Sequence, residues 1–315
     1  MEDYSPVIIP TLCRYEHFRK CIESLQKCTY AEKTDVIIGL DYPLKDGHWE
    51  GYRKIDAFLK GVCGFRNLII FRREQNFGSH RNIVALQEYA LSKYSSFIYM
   101  EDDIEVGPCF LDYIHKGLFK FADDESVYAI CGYSPLHIAF DESETFYRQD
   151  LNFSAWGYGV SKKNYIKMKM TMSRWYSIGK LLNPLALYKV IHLSWGAFLF
   201  LMMHVMNPQL LTDYVLSNYL LLEAKDVVMP NISLVRNNGF DGSGEHCVSN
   251  ASFAMTELDN RPKFEFIGNG QKKRKDVLIR LRLAKRREMG FSKMCSHIKS
   301  MIWVRFKRIW WMREK

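Results

Sequence analysis

Four short apolar runs, Val7 to Ile9, Val36 to Leu40, Leu68 to Phe71 and Phe97 to Met100, alternate with segments of helical period over the first hundred residues. Strand and helix in turn leave a chain few architectures: a mostly parallel central sheet, right-handed crossovers, and helices on its faces. The segment after the first run has Phe18, Ile22 and Leu25 on one helical face. After the third run, Asn76, Gly78 and Ser79 turn the chain into a helix with Ile83, Leu86, Tyr89 and Ala90 directed inward. Parallel strands aim their carboxyl ends at one edge, where open α/β sheets bind ligands. The polar residues expected there are Thr11, Arg14, Asp41, Asn76, Arg81, Asp102 and Asp103.

The fourth run ends on three consecutive carboxylates, Glu101-Asp102-Asp103. Adjacent anions repel and each is costly to desolvate, so such a cluster is most easily tolerated when a cation shares the site. A hard divalent metal carrying phosphates fits. The simpler account makes Glu101 to Glu105 the negative charge before a helix opened by Pro108 and packed through Phe110, Tyr113, Ile114, Leu118 and Phe121.

At 315 residues and 48% hydrophobic content the chain can bury a large core. Its eight cysteines show no CxxC pair and no metal-ligand spacing, which reads as free thiols. The start, Met1 to Ser5, is acidic and lacks a basic region followed by an apolar signal segment, so a cytoplasmic protein is expected. Val190 to Met206 is the most apolar stretch. It is shorter than the roughly 20 residues of a spanning helix, and reads as a core or interfacial element stopped near Pro208.

The net charge of +9 is unevenly placed. Residues 271–315 hold sixteen Lys and Arg against three acids, +13, leaving −4 on residues 1–270. Trp303, Phe306, Trp310 and Trp311 interleave with that charge, the composition of an amphipathic helix at an anionic membrane surface. Docking on its own domain is the plainer alternative. Nucleic acid is disfavoured as a partner, because a short basic and aromatic tail without a reading motif is weak support.

Taken together, Val7-Ile8-Ile9-Pro10-Thr11, Asp41 after the second strand, Asn76-x-Gly78 with Arg81-Asn82, and Glu101-Asp102-Asp103 resemble the nucleotide-sugar half of an inverting GT-A glycosyltransferase, family-two-like. The acidic triplet resembles the Glu-Asp-Asp motif of the N-acetylglucosaminyltransferase I type. The resemblance covers most of residues 5–250. It implies that Asp103 binds a divalent metal, that Asp102 holds the ribose, and that Asp41 and Arg14 lie at the uracil and ribose end of a UDP-sugar. Phe153 to Gly159 resembles the family's aromatic-glycine turn, with Trp156 and Gly157 against the donor sugar; a β-turn with a buried tryptophan is the alternative.

Leu211-Thr212-Asp213-Tyr214 resembles the stretch that carries the catalytic base, which assigns that role to Asp213; a helix N-cap followed by Leu216, Tyr219 and Leu220 is the competing account. Asn231 to Cys247 is dense in Gly, Asn and Ser, a composition suited to a lid. His246 within it is a candidate metal ligand that would favour Mn²⁺ over Mg²⁺. The expected organisation is a glycosyltransferase domain over residues 1–270, with a donor half of about 1–130 and an acceptor half of about 131–270, then a basic aromatic tail over 271–315. The expected activity is transfer of a hexosyl or N-acetylhexosaminyl group from a UDP-sugar to a glycan or lipid-linked acceptor, in surface polysaccharide synthesis, with the protein peripheral on the inner face of the membrane. A sugar nucleotidyltransferase and an inactive domain serving as a membrane or polyanion adaptor are the alternatives. The former normally has a Gly-rich loop after its first strand, and none follows Ile9.

Overall fold

Valine and isoleucine, which suit a pleated and buried surface, fill the strands Val7–Thr11 (β1) and Asp35–Leu40 (β2) of the computed structural model, and every residue of β2 is buried. The structure describes residues 4–135, 144–209, 211–239, 256–268, 275–288 and 294. The chain folds into two compact units. The first comprises Met1–Gln149, Ser154–Met168 and Asp226–Lys273; the second comprises Asp150–Phe153, Lys169–Lys225 and the described residues of Arg274–Lys315.

In the first unit β1 lies between β2 and Ser96–Tyr99 (β4), parallel to both, and Asn67–Arg72 (β3) pairs in parallel on the outside of β2. Tyr15–Gln26 (α1), Trp49–Leu59 (α2) and Gly78–Lys93 (α3) are the crossovers. The four expected strands therefore form one parallel half-sheet. Beyond β4 the direction changes: Tyr158–Ser161 (β8) is antiparallel both to β4 and to Val127–Cys131 (β6). Asp226–Pro230 (β9) is parallel to β6, and Phe146–Gln149 (β7) closes the edge antiparallel to β9. The full order is β3-β2-β1-β4-β8-β6-β9-β7, a mixed α/β fold with a large central sheet flanked by helices, as the alternation predicts.

Ile104–Val106 (β5) pairs antiparallel with Val235–Asn237 (β10), Asn237 opposite Ile104. The stretch read as helix-flanking charge is thus partly a strand, and the helix Phe110–Lys120 (α4) begins four residues beyond it. The front of the expected lid is likewise a strand, because Val235 is fully buried in the core and its backbone is bonded to β5. On α3 the inward face differs from expectation. Leu86 and Ala90 are buried, but Ile83 and Tyr89 are half-buried while Asn82 and Gln87 are buried in their place. The strand at this edge, β3, is itself only half-covered, and α3 packs over β1, β2 and β4 instead.

The second unit is helical: Arg174–Leu182 (α6), Pro184–Leu193 (α7), Trp195–Met206 (α8), Asp213–Leu222 (α9) and Lys275–Glu288 (α10), after Lys162–Thr171 (α5), whose residues up to Met168 belong to the first unit. Ser194 breaks the apolar stretch in two: its backbone is extended and its hydroxyl caps α8 by accepting from Ala197 N at 3.0 Å. Among the described residues no helix is long and apolar enough to cross a membrane. The first part of the basic tail is α10, with Val277 and Leu281 buried, the Lys285 ammonium 4.3 Å from the Tyr214 ring centre, and Arg286 donating to His192 O. Val277 and Leu281 of this helix pack inward, whereas Ile279 and Leu283 are exposed. Trp303, Phe306, Trp310 and Trp311 lie outside the described residues.

Candidate active site

Three strands deliver polar side chains to one edge of the sheet. β1 ends on Thr11, whose hydroxyl donates to Asp102 Oδ2 at 2.8 Å. Arg14, one turn of chain later, extends Nη2 to Asp102 Oδ1 and to Asp103 Oδ2, the latter at 2.9 Å. The two carboxylates follow β4 and are both buried, at 7% and 6% exposure. Burial pushes the Asp102 carboxyl above its usual range, and Asp103 adds to this, while Arg14 and Thr11 pull the other way. Burial also opposes the charge on Arg14, but Asp102 and Asp103 together outweigh it and hold the guanidinium above its ordinary value. One cation thus bridges two adjacent anions.

The fourth oxygen of the pair differs from the other three. Asp103 Oδ1 is buried and has no hydrogen-bond partner among the described residues, the kind of buried acceptor that calls for a missing ligand. Its surroundings are built closely. Asn238 N donates to Asp103 O at 3.0 Å, Gly239 N donates to Asn237 Oδ1 at 2.7 Å, and a Cβ placed on Gly239 would lie 2.0 Å from Asp103 Oδ2. Only glycine lets the backbone after β10 pass so near the carboxylate. No group of three or more His, Cys, Asp or Glu side chains among the described residues could enclose a metal. A divalent cation held by one carboxylate and by substrate phosphates needs no such cage, so Asp103 fits it. His246, the second expected ligand, lies outside the described residues.

Asp41, at the end of β2, is buried and organises the loop before α3. Its Oδ1 accepts Tyr42 N at 2.9 Å and Phe77 N at 2.8 Å, while Asn76 Nδ2 reaches Tyr42 O at 2.6 Å and Asp41 Oδ2 only at 3.5 Å. Asp41 and Asn76 are therefore joined, with Oδ2 the weakly engaged atom. Arg81 is exposed, its guanidinium 3.9 Å from the Phe77 ring centre, and no described ion pair links it to Asp102 or Asp103. The Trp156 ring packs edge-on against Tyr133 at 4.6 Å. Gly157 has φ +71°, and an added Cβ would meet Phe110 and Val235 at 3.0 Å, so backbone conformation and core packing already demand a glycine there.

Asp213 is the first residue of α9 in the second unit. Thr212 is the cap, its hydroxyl accepting Val215 N at 3.4 Å, which removes the N-cap account of Asp213. Two features escaped sequence reasoning. Gly239 was legible only as one of several glycines in a polar segment, since its closeness to Asp103 depends on the β5–β10 pairing. Arg73, just past β3, donates to Asn82 Oδ1 at 3.0 Å and stacks 4.7 Å from Phe77. Burial lowers its pKa, Asp41 opposing and Arg81 assisting, and a basic pair at a strand end was the available signal.

No family model and no curated protein matches the chain. Among solved structures it is similar to the mannosyltransferase PcManGT from Pyrobaculum calidifontis in complex with GDP-Man and Mn²⁺, at 16% identity over 53% of this chain and 46% of that one, with a TM-score of 0.36. It is also similar to S. aureus TarS 1-349 in complex with UDP-GlcNAc, at 14% identity over 53% and 47% of the two chains, with a TM-score of 0.34. The chain spans less than half the length of either structure.

Proposed function

We propose that the chain is a metal-dependent, inverting glycosyltransferase that moves a sugar from a UDP-sugar to a hydroxyl of a glycan or lipid-linked acceptor. The observation that carries this reading is Asp103 Oδ1, a buried carboxylate oxygen without a partner among the described residues, beside Arg14 and Asp102 at the strand-end edge of a parallel half-sheet. Asp103 would hold the metal, with His246 as a second ligand that favours Mn²⁺. The bound cation would screen the diphosphate and stabilise its charge as the sugar leaves. Arg14 is charged at every working pH and keeps two adjacent anions together, and with Thr11 it fixes the Asp102 carboxylate for the ribose. Asp41 Oδ2 is the acceptor left for the base or ribose, and Asn76, Arg81, Trp156 and Gly157 complete the donor set. Asp213 would take the proton from the acceptor hydroxyl as it attacks opposite the diphosphate.

The tail, residues 271–315, would hold the enzyme at the inner face of an anionic membrane, where lipid-linked acceptors of polysaccharide synthesis are presented. Titration calorimetry with UDP and Mn²⁺ tests the core of this reading. The protein should bind UDP only with metal present, and Asp103→Ala should abolish that binding. Equal affinity in the variant would remove Asp103 from the site, and absence of UDP binding by the unaltered protein would remove the proposed activity.

A further inference from the structure

Between Asp150 and Asp213 the chain contains no Asp or Glu, while Arg174, Lys180 and Lys189 lie on α6 and α7 of the second unit. The helices α6 and α7 pack on each other, and each leaves large apolar side chains in water. On α6, Ser177 is buried, whereas Trp175 and Leu182, one helical repeat apart, are 78% and 77% exposed. On α7, Ala186, Val190 and Leu193 form the inward face, and Leu185 and Tyr188 on the opposite side are 65% and 63% exposed. Leu182 and Leu185 flank the joint between the helices, where Asn183 caps α7, its Oδ1 accepting Leu185 N and Ala186 N at 3.0 Å each. The result is a helical hairpin tipped by two leucines, with a tryptophan and a tyrosine behind them.

A soluble surface rarely gathers such groups unless something covers them. The chemistry of the cover follows from what accompanies them. Tryptophan and tyrosine beside leucine suit the boundary between headgroups and acyl chains, and two helices that carry Lys and Arg but no acid suit anionic headgroups. Lys180 is matched by Glu223 at 2.9 Å, so the attraction rests on Arg174 and Lys189, both exposed. With nine and ten residues, these helices are about 14–15 Å long, half a bilayer core, so they can lie in the interface but not cross it.

We propose that the α6–α7 hairpin is a lipid-docking surface that seats the second unit on an anionic membrane, separately from the terminal tail. The inference does not depend on the transferase reading, because UDP binding is measured apart from lipid binding. The full chain is sedimented with vesicles of phosphatidylcholine alone or mixed with phosphatidylglycerol, and compared with the Leu182→Asp/Leu185→Asp variant. Two leucines withdrawn from an apolar phase should cost at least about tenfold in partition to the acidic vesicles, with thermal melting and UDP binding unchanged. Brominated lipids should quench tryptophan fluorescence less in Trp175→Phe than in the unaltered chain. Equal sedimentation of variant and parent, or equal quenching, overturns the proposal. So does a parent that self-associates without lipid and becomes monomeric on the double substitution, since the hairpin then meets a second copy.

Discussion

The placement of Asp103 depends on a residue with no side chain. Because a Cβ at Gly239 would lie 2.0 Å from Asp103 Oδ2, Gly239→Ala must displace either the carboxylate or the strand end behind it. The variant should fold, since the clash is local, yet bind Mn²⁺ and UDP at least about tenfold more weakly, in line with supporting residues of metal sites. Calorimetry on the two proteins decides it, and equal affinities would mean the carboxylate moves at no cost to binding. The acids themselves were legible in the sequence because three carboxylates after an apolar run are rare. Gly239 was not, because its role is written in the pairing of strands 130 positions apart. A second residue sets a pH response. Burial lowers His115 to about 4, where it lies near Thr34 Oγ1 and edge-on to Tyr4, against about 6.5 in an unfolded chain. Between these values the unfolded chain takes up the proton and the folded one does not. The contribution of neutral His115 is therefore whole above pH 6.5 and declines as the pH falls toward 4. Thermal melts at about pH 7.5 and pH 5 should show a smaller loss of Tm for His115→Gln than for the parent; equal losses would exclude His115 as the source.

At the scale of elements, the edge that carries Asp41 is held by α3. Asn82 is 1% exposed, donates to Gly39 O at 2.8 Å and accepts from Arg73 Nε at 3.0 Å, so one amide ties α3 to β2 and to the end of β3. Gly39 answers it, since any Cβ there would fall 2.6 Å from Asn82 Oδ1. Asn82→Ala removes both bonds of this buried amide and should lower stability by about 1–3 kcal/mol, read as a lower urea midpoint with an unchanged slope. A shift below experimental error would mean water replaces the amide. Periodicity located α3 but misjudged its face, because an inward Asn is invisible to a rule that counts apolar residues. For the same reason β5 was missed: three residues beginning one position after an acidic cluster make no pattern until β10 pairs with them.

At the scale of the whole molecule, the parallel half of the sheet was legible from alternation, whereas the antiparallel half was not, since β7, β8 and β9 are short and far apart in sequence. The helical unit formed by residues 150–153 and 169–225 was hidden by an apolar composition poor in acids, which reads equally as core or interface. Asp213 belongs to that unit and rests on resemblance alone. If it is the base, Asp213→Asn should retain UDP affinity and lose roughly 10²- to 10⁴-fold in sugar transfer, measured as UDP release with acceptor; near-normal turnover would assign the proton to another group. The sheet order also bears on how the chain assembles as it leaves the ribosome. β1 to β4 and their crossovers are complete by residue 99, whereas β6 gains its neighbours β8 and β9 only with residues 158–161 and 226–230. The strand that backs the acidic pair arrives last, with Val235–Asn237 and Gly239. A nascent chain stalled before that point has Asp102, Asp103 and Arg14 in hand but no wall behind them. The acidic pair is then walled in only late in synthesis, by residues far along the chain from those that carry its charge.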